Sequence, residues 1–135
     1  MKTQGEMEAA VCQGMARFEQ EYLGRGPREI NACLTGDLLV IRLRGVLTAA
    51  ERYLVQTMPP EKGRDLLKQV RMQLIEQARP ALEAMIHDIT GVKSISLHYD
   101  ISTVVGEEVV IFSLARIPQF RQTKRVISPL SVVRA

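Results

Sequence analysis

The chain has 135 residues, 46% apolar and 24% charged, with a formal net charge of +3 and two cysteines. Such a chain forms one domain and can bury a core without disulfides or a structural metal. Cys12 and Cys33 do not make a disulfide framework, and the longest aliphatic block, Leu38–Ile41, falls far short of the roughly 18 apolar residues of a membrane span. The N-terminus turns polar and acidic at Glu6 and Glu8. It lacks an apolar signal segment, so the expected location is the cytoplasm.

The positive charge is unevenly spread. Residues 116–135 carry Arg116, Arg121, Lys124, Arg125 and Arg134 and no acid, which leaves 13 basic against 15 acidic residues, net −2, in residues 1–115. The expected organisation is one domain over 1–115 and a basic interaction tail over 116–135. A folded body without a basic surplus, and with six aromatic residues in the whole chain, argues against nucleic acid as a partner.

Met7, Val11, Met15, Phe18 and Tyr22 recur at helical spacing and predict a helix over 6–23. Gly24-Arg25-Gly26-Pro27 ends it. Residues 28–34 and 39–43 alternate around Thr35-Gly36-Asp37 and predict a β-hairpin, with Gly45 at its end. Thr48-Ala49-Ala50-Glu51 is a capping box for a short helix to Thr57, which Met58-Pro59-Pro60 breaks. The strongest periodicity follows: Leu67, Val70, Leu74, Ala78, Leu82, Met85 and Ile89 predict one long helix, kinked near Pro80 and stopped at Thr90-Gly91. Ile95, Leu97, Tyr99 and Ile101 alternate toward a second hairpin that turns at Gly106. Its return strand, Val109–Leu114, is apolar on both sides, as in a central strand or one covered by a partner. The expected fold is α+β, in the order helix, hairpin, helix, helix, hairpin, with a four-stranded antiparallel sheet and helices on one face.

Several groupings carry possible chemistry. Gly24, Arg25 and Gly26 can offer free amides and a forked cation to an anion, although a helix C-terminus beside them opposes one. Arg42 and Arg44 share a strand face, with Arg28 on the neighbouring strand, and can add to such a site; a solvated sheet face is the plainer reading. His98 and Asp100 share a face, which is half a metal site, but the opposite strand offers only Ser113. No metal, cofactor or catalytic residue is therefore expected. Arg79 is placed to pair with Glu76 or Glu83. Val109, Ile111 and Phe112, with Arg121, Lys124 and Arg125 of the tail, form the expected interface. Val126-Ile127 or Ser131–Val133 can add a strand to a neighbour's edge.

Phe18-Glu19-Gln20-Glu21-Tyr22-Leu23-Gly24-Arg25-Gly26-Pro27 resembles the opening signature of a small bacterial family, the MpsC-like group. So do Arg42-Leu43-Arg44-Gly45-Val46-Leu47-Thr48 with Glu51, Glu76-Gln77-Ala78-Arg79-Pro80, and Ile89-Thr90-Gly91 followed by Leu97-His98-Tyr99-Asp100-Ile101-Ser102. The resemblance covers roughly residues 4–114. It implies an accessory or regulatory protein beside a membrane-potential-generating system of sodium-linked and bicarbonate-linked inorganic-carbon uptake, and it supplies no catalytic residues. The expected function is thus a non-enzymatic cytosolic accessory protein, homodimeric, docking on a membrane transport partner, with peripheral membrane contact through the tail. The alternative is a sensor for a small anion or nucleotide at Gly24–Pro27 and the sheet arginines.

Overall fold

The first helix starts earlier than its apolar spacing predicts, because Thr3 caps it. The Thr3 hydroxyl accepts from the Glu6 amide at 3.1 Å, and the Glu6 carboxylate accepts from the Thr3 amide at 2.8 Å. This capping box opens α1 (Gln4–Leu23), and Gly24, at φ 80°, closes it in the left-handed conformation that favours glycine. The rest of the order is as expected: β1 (Glu29–Thr35), β2 (Leu38–Arg44), α2 (Ala49–Thr57), α3 (Pro60–Thr90), β3 (Ser94–Ser102) and β4 (Glu107–Leu114). The structure, a computed structural model, describes residues 1–122. Lys124, Arg125 and the two strand-adding segments of the tail lie outside the described residues.

The four strands form one antiparallel sheet in the order β1-β2-β4-β3. The two hairpins join through β2 and β4, so the doubly apolar strand is central. Leu39, Ile41 and Leu43 of β2 and Val110, Phe112 and Leu114 of β4 are buried on one face, against Met7, Val11, Met15 and Phe18 of α1 and Leu67, Ile75, Leu82 and Ile86 of α3. α2 lies alongside α3. The Thr48–Glu51 capping box is present at its start. A bulge between Ser94 and Ser96 shifts the register of β3, which buries Ser94 and leaves Ile95 exposed.

Two details of the helices differ from the expected pattern. Tyr22 is exposed, stacked on Phe18 with ring centroids 4.6 Å apart. The buried stripe of α3 runs Gly63, Leu67, Arg71, Ile75, Ala78, Leu82, Ile86 and Thr90. Val70 is exposed and Leu74 half-buried, because the helix is rotated to bring a charged residue, Arg71, to the centre. α3 is continuous through Pro80, beside which Arg79 pairs with both Glu76 and Glu83 at 3.8 and 3.5 Å. Gly14 sits where the Met85 side chain of α3 crosses α1, and a Cβ there would collide with the Met85 sulfur.

Past β4 the chain folds back along α1. The Arg121 amide donates to the Lys2 carbonyl at 2.7 Å, its guanidinium lies 3.4 Å from Glu6, and Phe120 packs against the core.

Candidate functional site

Two constellations of polar groups stand out, one sealed and one open. The sealed one is centred on Arg71, whose side chain is 1% exposed. Its Nε and Nη2 donate to the two Glu51 oxygens at 2.7 and 2.6 Å, a bidentate pair. Nη1 donates to Glu108 at 3.0 Å, and Nη2 also reaches the Val46 carbonyl at 3.0 Å. Glu108 is fully buried and accepts a second bond from the Tyr99 hydroxyl. Glu19, 1% exposed, lies 3.7 Å from Arg71. One guanidinium thus ties together α1, α3, β3, β4, the β2–α2 loop and the cap of α2, with Glu51 serving both the cap and the ion pair.

The charges in this network are set by their neighbours. Burial disfavours the charged form of Arg71, but the Glu51 hydrogen bonds and the Glu108 and Glu51 carboxylates outweigh it and raise its pKa. Burial also opposes ionisation of Glu51, yet Arg71 and the Thr48 amide hold its carboxyl below the usual range. Burial first, then the hydrogen bond to Glu108 and its charge, push Glu19 up to about 10. Glu19 is therefore a neutral acid at pH 7. Glu19 Oε1 and Glu108 Oε1 are buried with no donor among the described residues, and a proton on Glu19 supplies one. Burial, followed by Glu108, raises the Tyr99 hydroxyl as well.

The centre of this network, Arg71, Glu19 and Glu108, is sealed from solvent, and only Glu51 and Tyr99 at its edges are partly exposed, so it acts as a structural tie between the elements. Tyr99→Phe removes one of the donors to a buried carboxylate and should destabilise by about 1–3 kcal/mol. Urea unfolding of the two proteins checks this; equal midpoints would mean that Glu108 does not depend on the hydroxyl.

The open constellation is a cleft of about 350 Å³ where the α1–β1 loop, α2 and the β3–β4 turn meet. Arg25, Arg28 and Arg52 line it, with Leu47, Val55 and residues 103–106. Arg25 Nε donates to the Gly45 carbonyl at 3.2 Å, which fixes its guanidinium at the rim. Gly45 has φ 67°, and a Cβ there would come within 2.9 Å of the Arg28 side chain, so only glycine lets Arg28 lie across the hairpin end. Among the described residues, none of the three arginines is paired with a carboxylate. The lining holds no Asp, Glu, His or Cys. The cleft offers cationic donors, with Gln56 and Thr103 as its neutral polar side chains.

The candidates read from sequence are distributed differently. Arg25 lines the cleft; Gly24 caps α1, and the Gly26 amide is committed to Gln20 at 3.1 Å. Arg42 and Arg44 do not join Arg25. They lie on the uncovered sheet face, 2.8 and 3.4 Å from Glu107, with Arg44 also 3.7 Å from Glu29. His98 is exposed on the same face, and Asp100 bonds Lys68 at 3.1 Å and the Ile101 amide at 2.9 Å. Among the described residues no group of three or more His, Cys, Asp or Glu is placed to hold a metal ion. Val109 and Ile111 are half-buried on the uncovered face, whereas Phe112 points the other way into the core. Arg121 is occupied by Glu6.

Arg52, Glu19, Arg71 and Glu108 escape a reading that follows apolar periodicity. A signal was present for the last three: each charge occupies a core-phase position, Glu19 four after Met15, Arg71 four after Leu67, and Glu108 two before Val110. Charges on buried stripes compensate one another. Arg52 stands four residues before Gln56, but no local pattern relates either to Arg25.

Comparison with known proteins places these features in context. The sequence profile of a family described as "Na+-translocating membrane potential-generating system (MpsC)" matches residues 3–116. The uncharacterized protein YbcI of Bacillus subtilis (strain 168) is 34% identical over 113 residues, covering 84% of this chain and 89% of YbcI. The uncharacterized protein YrhF of the same strain is 28% identical over 102 residues, covering 74% and 80%. No solved structure matches. Among the described residues, no helix is long and apolar enough to cross a membrane.

Proposed function

This chain belongs to the MpsC family, and on that premise we propose that it is a non-enzymatic, cytoplasmic accessory or regulatory protein. It acts as a homodimer beside a Na+-translocating membrane system, through protein–protein contact. The observation that carries this reading is the sheet face left uncovered by the helices. Leu38, Val40, Val109 and Ile111 form an apolar centre on it, adjoining in register. Arg42 and Arg44 flank them, sharing Glu107, with Glu29 as the second acid beside Arg44. A face holding both signs of charge around an apolar centre is self-complementary, as a two-fold interface requires.

Val109→Arg places a third cation beside Arg42 at the middle of that face. The variant should sediment as a monomer under conditions where the parent is a dimer, with its secondary structure intact. In the native cell this variant and deletion of the gene should both lower the Na+-dependent membrane potential. A full potential in both strains would sink the accessory reading, and a monomeric parent would sink the dimer.

The cleft favours a second reading, a sensor for a small anion such as phosphate, bicarbonate or a nucleotide, held by Arg25, Arg28 and Arg52. Binding at a hundred times Kd stabilises a protein by about 2.7 kcal/mol. One ligand class should therefore raise the melting temperature of the parent and not of Arg25→Ala. A flat panel removes this reading.

A further inference from the structure

The arginine cleft has an apolar neighbour that a free anion does not need. The β3–β4 turn places Val104 and Val105 side by side at the cleft wall, 92% and 68% exposed. Val104 is more exposed than any other large apolar side chain among the described residues. The turn is held firmly. The Gly106 amide donates to the Ser102 carbonyl at 2.9 Å, the Val46 amide donates to the Gly106 carbonyl at 3.2 Å, and Thr103 is buried. Tyr53, next to Arg52 on α2, is exposed as well. The carboxylates adjoining these residues in sequence are engaged elsewhere: Glu51 with the buried Arg71, Glu29 with Arg44, and Glu107 with Arg42 and Arg44 on the opposite sheet face.

We infer that this corner docks on an anionic lipid surface: Val104 and Val105 enter the headgroup boundary, and Arg25, Arg28 and Arg52 take a lipid phosphate. Apolar side chains on a fixed turn gain by leaving water for the boundary region, which is the energetic pattern of interfacial membrane binding. Guanidinium groups grip phosphate with paired, forked hydrogen bonds, and an anionic leaflet concentrates cations at its surface. The two features act together only at a bilayer, because a soluble phosphate leaves both valines in water. The site is distinct from the tail, whose described part, residues 116–122, packs at the opposite end of α1. It goes beyond the accessory-protein reading, since it concerns the bilayer and not a protein partner. Val109→Arg should leave it intact.

The test is sedimentation of the full-length protein with vesicles of phosphatidylcholine alone, or of phosphatidylcholine mixed with phosphatidylglycerol, at low and high salt. Binding is expected only to the mixed vesicles and should weaken with salt. Val104→Asp and Arg52→Glu, both at exposed positions, should each lower the partition coefficient by about tenfold or more. Their circular dichroism and melting temperatures should match the parent. Val104→Asp should weaken partition equally in a Lys124→Ala/Arg125→Ala background. No partition into either vesicle, or partition unchanged in both Val104→Asp and Arg52→Glu, overturns the proposal. Stabilisation by inorganic phosphate without vesicle binding also overturns it and assigns the cleft to a free anion.

Discussion

Arg71→Met should lower the unfolding free energy by about 3–5 kcal/mol, the range for breaking a buried ion pair by removing one partner. Methionine fills much of the same volume, so the loss is mainly electrostatic. Glu108 would remain buried with only the neutral donors Tyr99 and protonated Glu19 and no cation, and Glu51 would lose its bidentate partner while still capping α2. The control is the double variant Arg71→Met/Glu108→Leu, which removes both the guanidinium and the stranded carboxylate. It should recover part of the loss, because an apolar replacement of a buried pair is often neutral. Denaturant unfolding of the parent and the two variants measures this recovery. A single-variant cost below about 1 kcal/mol would place Arg71 among surface ion pairs, contrary to its burial.

The second large effect is in the pH dependence of stability. With Glu19 pushed up to about 10 by burial and by Glu108, the folded protein retains a proton that the unfolded chain releases near the ordinary carboxylate value. The folded pKa is raised, so this contribution is fully present below that ordinary value and is lost as pH rises toward 10. The slope is at most about 1.4 kcal/mol per pH unit for one proton. Glu51 acts in the opposite sense at lower pH: its folded pKa is depressed, so its contribution disappears on acidification. Stability should therefore fall steadily from about pH 5 to 9, a trend that carboxylates in ion pairs alone do not produce. Glu19→Gln keeps a neutral donor beside Glu108 and titrates no proton. It should flatten the slope by one proton and be more stable than the parent at pH 8. Parallel pH profiles for the two proteins would mean that Glu19 is ionised in the fold.

These two expectations come from charged residues at core-phase positions that a search for apolar side chains passes over, while the elements around them were legible. Thr48 and Glu51 are three apart and cap a helix by local geometry. Gly36 and Gly106 mark turns because those turns require positive φ, observed at 61° and 67°. Gly91 stops α3 for the same reason, at 74°. The alternation in β2 assigned Leu39, Ile41 and Leu43 to one side, and the two-sided apolar run Val109–Leu114 pointed to a central strand or one covered by a partner, of which the sheet order makes it central. Where local rules erred, a tertiary contact intervened. The bulge at Ser94–Ser96 reversed the parity of Ile95, and the inward pull on Arg71 rotated α3 so that Val70 faces water.

What the chain determines by itself are the helices, the hairpins and their order, because caps, turns and periodic faces are set by residues within a few positions of one another. The pairing of β2 with β4, the gathering of Glu19, Glu51, Tyr99 and Glu108 around Arg71, and the meeting of Arg25, Arg28 and Arg52 beside Val104 were decided only by tertiary structure. Their partners stand up to 89 positions apart. The energy that brings them together is burial of the common core, which has no sequence spacing of its own.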